Sequence, residues 1–200
     1  MSRFYGVNLF LKILIDKLFS LFFLLIASPI LFLSALLIYI EDGFPIVFTQ
    51  NRTGWDGRRF LVYKLRSLNN EKYDPVNQVI KNDNRKLKIG KFIRRYSIDE
   101  IPQFYNVLLG DMSIVGPRPH PVSLDLAYAK IYESFLTRYR CNPGITGWAQ
   151  VNGLRGATKN PELMEKRMQY DLWYLKNWTI WLDLYIIFKT FYALFKYKGD

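Results

Sequence analysis

Two hundred residues can bury one good core, so one main folded unit is the default. Lys and Arg number 28 against 17 Asp and Glu, a formal net charge of +11, and such a surface draws phosphate as nucleic acid, anionic lipid or nucleotide. A single histidine, His120, and a single cysteine, Cys141, exclude a multi-His metal site and an internal disulfide, and they permit a reducing compartment. Aromatic residues reach 17%, with five tryptophans. That is unusual for a basic nucleic-acid module. It is what a membrane interface selects, where an amphipathic ring and a cation meet lipid head groups.

The first element is apolar. Residues 18–40, "LFSLFFLLIASPILFLSALLIYI", have roughly the 20 apolar residues that cross a bilayer. The run is too long for a signal-peptide core, and no small-residue cleavage site follows it. Two features speak against a plain span. Ser28-Pro29 falls near the midpoint, where proline removes a backbone hydrogen bond and clashes with the preceding turn. Both flanks are basic, with Arg3, Lys12 and Lys17 before and Arg52, Arg58, Arg59, Lys64 and Arg66 after. The positive-inside tendency holds both flanks on the cytoplasmic side. A helix that enters, bends at Ser28 and Pro29 and returns to the same face satisfies both features. The expected division is a re-entrant membrane helix over 1–42 and a cytoplasmic, membrane-associated domain over 43–200.

Residues 46–68 alternate apolar and polar on both sides of Gly54–Gly57, which predicts two short strands and a Gly-rich turn. Residues 69–84 are polar and predict an exposed loop. The basic run "RKLKIGKFIRR" (85–95) reads as a solvated face or as an anion-binding wall. After Pro102, "QFYNVLLG" predicts a helix with Gly110 as its stop. "SIVGPRPHP" (113–121) crowds three prolines and a glycine into nine positions and predicts irregular chain. Helices are predicted over 123–140 and 161–177, with a Gly-punctuated loop and room for a short strand at 142–153. Near the C-terminus Trp181, Leu184, Tyr185, Phe188, Phe191, Tyr192 and Phe195 form one helical stripe. The stripe fits a core-facing helix or, with Lys189, Lys196 and Lys198 nearby, an interfacial one. The fold class expected is α+β and mostly helical.

Familiar catalytic patterns are missing. The sequence has no P-loop, no dinucleotide glycine fingerprint and no Cys/His spacing for zinc. Cys141 and His120 offer a nucleophile and a base without a third orienting group, which favours a structural thiol. What stands out is "SIDEIPQ" (97–103), with adjacent acids at Asp99 and Glu100. Ser97-x-x-Glu100 fits a capping box at a helix start. Pro102 fits better as the first residue of the following helix, which leaves both acids just before it, near free N–H groups. Adjacent side chains diverge, so one acid is free to attack while the other binds metal or shuttles a proton. Arg94, Arg95 and Arg118, the last framed by Pro117 and Pro119, are suited to clamp a diphosphate. The residues alone leave cap and catalysis both open.

"YKLRSL", "SIDEIPQFYNVLLGDMSIVGPRPH" and "NPGITGWAQVNG" together resemble the bacterial sugar transferases, the monotopic polyprenyl-phosphate phosphoglycosyl transferases. The resemblance runs from the Ser-Pro-broken apolar segment to the Tyr-Asp-Leu-Trp-Tyr stretch near the C-terminus. Larger members carry a further multi-span N-terminal region, so the expectation here is the short catalytic unit. The resemblance implies an enzyme on the bacterial cytoplasmic membrane with its catalytic domain facing the cytoplasm. It would move a sugar-1-phosphate from a nucleotide sugar, typically a UDP-sugar, onto undecaprenyl phosphate, releasing UMP and starting lipid-linked glycan assembly. It also implies Asp99 as nucleophile through an aspartyl-phosphosugar intermediate, Glu100 as its partner, and Mg²⁺ at the diphosphate beside these two acids. Arg94 and Arg118 match phosphate-binding positions, and Lys64, Arg66 and Arg155 match nucleotide or phosphate contacts. The expected partners are the donor, the lipid acceptor and membrane lipids, and a homo-oligomer is compatible with the sequence. Nucleic-acid binding would explain the charge but neither the apolar stretch nor the Pro-framed arginine.

Overall fold

In the computed structural model, which describes residues 6–69, 84–132, 134–156 and 161–196, the apolar segment is one helix, α1 (Gly6–Asp42). It extends beyond the apolar run at both ends. The face it buries is small or polar at Lys12, Asp16, Ser20, Ala27 and Ser34, and apolar at Ile38. Large apolar side chains such as Phe22, Leu25, Ile26, Phe32 and Ile40 are left exposed. Pro29 lies inside the helix and has no N–H for the carbonyl of Leu25. Ser28 Oγ donates to that carbonyl instead, at 2.8 Å, and helical structure continues through the pair.

The next two elements form the predicted hairpin. β1 (Val47–Thr53) and β2 (Arg59–Leu65) pair antiparallel, from Val47 opposite Leu65 to Thr53 opposite Arg59. The loop expected at 69–84 lies outside the described residues apart from its two ends. α2 (Lys88–Arg95) follows, then a 3-10 turn (Ile98–Glu100) and α3 (Gln103–Leu109). Gly110 ends α3 at φ 90°, the left-handed stop expected of it.

Two expectations are corrected. The stretch 113–121 is not irregular throughout: Ser113–Val115 is a strand, β3, pairing parallel with β4 (Gly144–Thr146). Its glycine and prolines begin only at Gly116, so the apolar residues before them are free to pair. A Cβ at Gly116 would strike the carbonyl of Asn142, and one at Gly144 the backbone of Gly116, so these two loops meet only through glycine. The helix expected over 123–140 is split into α4 (Val122–Ala129) and a 3-10 segment (Phe135–Tyr139). The tighter turn buries Phe135, Arg138 and Tyr139, and a buried ion pair from Arg138 to Asp171 overrides the periodic pattern.

α5 (Trp148–Val151), α6 (Pro161–Asn177) and α7 (Ile180–Lys196) complete the chain. The aromatic stripe of α7 faces outward, with Trp181 79% and Phe188 73% exposed, and Asp183 and Ile186 on its other side are buried. The core-facing reading of that stripe is therefore set aside. The main core gathers Phe60 and Val62 of β2, Val107 of α3, Ile114 and Val115 of β3, Tyr174 of α6, Trp178, and Ile186 of α7. A second cluster packs Ile38 of α1 against Leu65, Leu87, Ile93 and Ile98. Both ends of α1 are bonded to this same body. Lys12 Nζ donates to Val115 O (3.2 Å) and pairs with Asp183 (2.6 Å). At the other end Glu41 accepts from the N–H groups of Lys88 (2.6 Å) and Ile89 (3.0 Å), capping α2.

Candidate active site

The capping box does not form. Ser97 is left-handed at φ 57°, makes no side-chain cap, and its hydroxyl accepts from Arg155 at 2.8 Å. That turn buries Ile98 in the core and leads straight into the two acids. Glu100 is the acid with partners. Its Oε1 lies 2.7 Å from Lys64 Nζ and 2.6 Å from Arg118 Nη2, and its Oε2 is 3.8 Å from Arg155. Burial pushes the Glu100 carboxyl up, but Arg118, Lys64 and Arg155 outweigh it and hold the group well below the usual range.

Asp99 differs. It is 6% exposed, and among the described residues no group donates a hydrogen bond or pairs directly with its carboxylate. Burial, with the charge of Glu100 added, pushes it up to about 6 against the pull of Lys64, Arg94 and Arg118. Neighbouring acids thus differ in kind: one is fixed as an anion among cations, the other is buried and uncommitted.

The scaffold explains who stands there. Asn106 of α3 pairs along β2, donating to Leu61 O (2.7 Å) and accepting from Tyr63 N–H (3.1 Å). That clasp brings Lys64 beside the turn carrying Glu100. Burial lowers the Lys64 ammonium even though Glu100 raises it. Arg118 follows β3, whose pairing with β4 anchors the Gly116–Pro121 loop. Its pKa is raised, first by Glu100.

Of the residues singled out from sequence, Lys64, Arg118 and Arg155 therefore gather at Glu100. Arg94 acts on Asp99 electrostatically and donates to Ser67 Oγ at 3.3 Å. Arg66 is not brought to this group. Its guanidinium pairs with Asp42 and donates to the carbonyls of Asp42 (2.9 Å) and Gly43 (2.7 Å), bracing the end of α1. Ser28 and Pro29 lie within α1. Cys141 is buried, and burial drives its thiol far above the ordinary range, so it is a structural thiol.

Residues 7–197 match the family model described as bacterial sugar transferase. The chain belongs to that family. It is 47% identical over 195 residues to the UDP-glucose:undecaprenyl-phosphate glucose-1-phosphate transferase of Klebsiella pneumoniae, covering 97% of this chain and 42% of the relative. It is 40% identical to the exopolysaccharide production protein PSS of Rhizobium leguminosarum bv. phaseoli, over 92% of this chain and 94% of the relative. It is 37% identical to the UDP-N-acetylgalactosamine-undecaprenyl-phosphate N-acetylgalactosaminephosphotransferase of Aeromonas hydrophila, over 90% of this chain and 43% of the relative. The chain therefore spans less than half the length of several curated relatives and nearly all of one.

For the family's expected Mg²⁺, the donor set is the test. Among the described residues no group of three or more Asp, Glu, His or Cys gathers to hold a metal, so Asp99 and Glu100 stand as a pair of carboxylates. Mg²⁺ is typically held by one or two carboxylates plus substrate phosphates, not by an all-protein cage, and this pair fits that pattern. Sequence reasoning missed Asn106 and the buried Arg138–Asp171 pair. Asp171 gave one faint signal, an acid within the aromatic stretch "YDLWY".

Proposed function

We propose that the protein transfers a sugar-1-phosphate from a UDP-sugar to undecaprenyl phosphate, with Asp99 as the covalent nucleophile. The observation that carries this reading is the contrast between the adjacent acids. Glu100 holds Lys64 and Arg118 side by side, while among the described residues nothing pairs with or donates to the oxygens of buried Asp99. The names of the Klebsiella and Aeromonas relatives support a UDP-sugar donor and undecaprenyl phosphate as acceptor, and UDP-glucose is the first donor to test.

An Asp99 oxygen attacks the phosphorus that bears the sugar. The bond from that phosphorus to the oxygen of UMP breaks, and UMP leaves with the electron pair, so the sugar-phosphate sits on Asp99 as an acyl phosphate. An oxygen of undecaprenyl phosphate then attacks the same phosphorus and displaces the Asp99 carboxylate, giving undecaprenyl-diphospho-sugar. Lys64, Arg94, Arg118 and Arg155 neutralise charge on the phosphoryl oxygens in both steps. Mg²⁺ held by Asp99 and Glu100 with the donor phosphates would supply further neutralisation of those oxygens.

The acceptor cannot leave the bilayer, so the enzyme must sit on it. The exposed apolar side chains of α1 and the outward stripe of α7 support that placement. Lys12 and Glu41 lie about 44 Å apart along a straight helix, more than a hydrocarbon core of about 30 Å. A helix crossing the bilayer upright would put them on opposite sides, yet both are bonded to one body. We therefore favour a re-entrant or in-plane seat for α1 with its ends on the cytoplasmic side, where nucleotide sugars are made. The test is release of UMP from a panel of UDP-sugars by membranes containing the protein, with and without undecaprenyl phosphate and Mg²⁺. No release from any member overturns the reading.

A further inference from the structure

Behind the loop that presents Arg118 lies a second ionic cluster that the reaction above does not use. Its centre is Arg138, which has no exposed surface. Nε and Nη2 of Arg138 donate to Asp171 Oδ2, at 3.1 and 2.6 Å. Nη2 also donates to the main-chain carbonyl of Arg118 at 2.9 Å, and Nη1 lies 2.6 Å from His120 Nδ1. Arg52 Nη1 donates to the next carbonyl, that of Pro119, at 3.2 Å. Two guanidinium groups thus hold consecutive carbonyls at the back of the loop, while the Arg118 side chain pairs with Glu100 at the front.

His120 completes the brace as a neutral ring. Burial, with Arg138 and Arg167 close by, holds its pKa well below the ordinary value. A neutral imidazole accepts at only one nitrogen, and the short contact assigns that role to Nδ1, facing Arg138. A buried cation in a cluster this rich in arginine needs a reason beyond packing, because a buried ion pair is weak evidence for stability alone. The contact to the Arg118 carbonyl supplies one.

We propose that Arg138, held by Asp171, is a positioning residue: it fixes the backbone of Arg118 so that the Arg118 guanidinium meets the transferred phosphate in register. The inference rests on the proposed phosphosugar transfer and on Arg118 as a phosphate contact in it. Misplacing a substrate-orienting group by about 1 Å costs on the order of 100-fold.

The test is a kinetic cycle on the full chain in membranes, with kcat and KM for UMP release measured for wild type, Arg118→Lys, Arg138→Lys and the double variant. Thermal midpoints are recorded for each, and assays are run well below the lowest. The expected result is a roughly 10- to 100-fold loss of kcat/KM for Arg138→Lys, and a double variant no worse than Arg118→Lys alone. Once the Arg118 fork is gone there is nothing left to position. Losses that multiply in the double variant, or an Arg138→Lys enzyme near wild type, overturn the inference. If Arg138→Lys does not accumulate folded, Asp171→Asn, which keeps size and an acceptor, takes its place in the cycle with the same outcomes. Wild-type protein that releases no UMP overturns the underlying reading. Multiplying losses in an active enzyme overturn only the positioning role.

Discussion

Arg118 Nη2 stands 2.6 Å from Glu100 Oε1, and Lys64 Nζ is 2.7 Å from the same oxygen, so one carboxylate holds two cations together. Glu100→Gln removes that charge and leaves both cations facing each other with little solvent. A loss of about 1–3 kcal/mol is expected, below the roughly 3–5 kcal/mol of a fully buried pair because both cations are partly exposed. Thermal melts of the purified variant check this, and added UDP should recover part of the loss. An unchanged midpoint would show that Glu100 does not hold the cluster.

Asp99 gives a pH dependence with a definite sign. Its carboxyl is raised to about 6, so the carboxylate that the proposed attack requires is lost as pH falls through that value. The acid limb of kcat/KM is expected near pH 6 and should not move when Arg155, farther out, is replaced by Lys.

Stability runs the other way. A folded pKa raised from 3.8 to about 6 means that the protonated form stabilises the fold, fully below the unfolded pKa, and that this is lost as pH rises through 6. The shift corresponds to about 3 kcal/mol at most. Asp99→Asn removes the ionisation, so its melting temperature should exceed that of wild type at pH 8 and converge with it at pH 4. A variant less stable than wild type at pH 8 would contradict the burial argument.

Asp183 ties three helices: it pairs with Lys12 of α1 at 2.6 Å and accepts from Tyr174 of α6 (2.7 Å) and Trp178 Nε1 (3.0 Å). Asp183→Ala leaves buried Lys12 with Asp16 at 3.6 Å and the Val115 carbonyl, and should cost up to about 3 kcal/mol, the low end for a broken buried pair. Limited proteolysis is expected to cut near α1 sooner. Adding Lys12→Met should recover part of the loss, whereas an additive loss would mean the two residues act separately.

Ser28 and Pro29 can be tested through topology. With α1 seated as proposed, single cysteines at exposed Val7 and Arg58 should both be shielded from a membrane-impermeant reagent in intact cells and react after lysis. Replacing Ser28 and Pro29 with leucine restores the backbone N–H, and a fraction of molecules should then label at position 7 from outside. Labelling of wild type at position 7 in intact cells would mean that the helix spans.

Local signals were read well from sequence. The β1–β2 alternation, the Gly110 stop and α6 each depend on neighbours in the chain, and the structure has them where expected. The parallel pairing of Ser113–Val115 with Gly144–Thr146 was not legible, because a three-residue strand has no periodicity and its partner is distant. In the site, Asp99, Glu100 and Arg118 announced themselves as a compact motif. Arg66 sat in an equally suggestive one but is taken by Asp42. Arg138 and Asp171 are 33 positions apart, and in sequence each looks like any charge on an amphipathic segment. Only the fold brings them together.

Covalent loading of Asp99 can be read by intact-protein mass spectrometry. Purified protein is incubated with UDP-glucose and Mg²⁺ without lipid acceptor, then digested for peptide mapping. A hexose-phosphate adduct on Asp99 is expected, accompanied by UMP, that disappears when undecaprenyl phosphate is added and never forms on Asp99→Asn. Active enzyme with no adduct on any residue and intersecting two-substrate kinetics would contradict covalent loading.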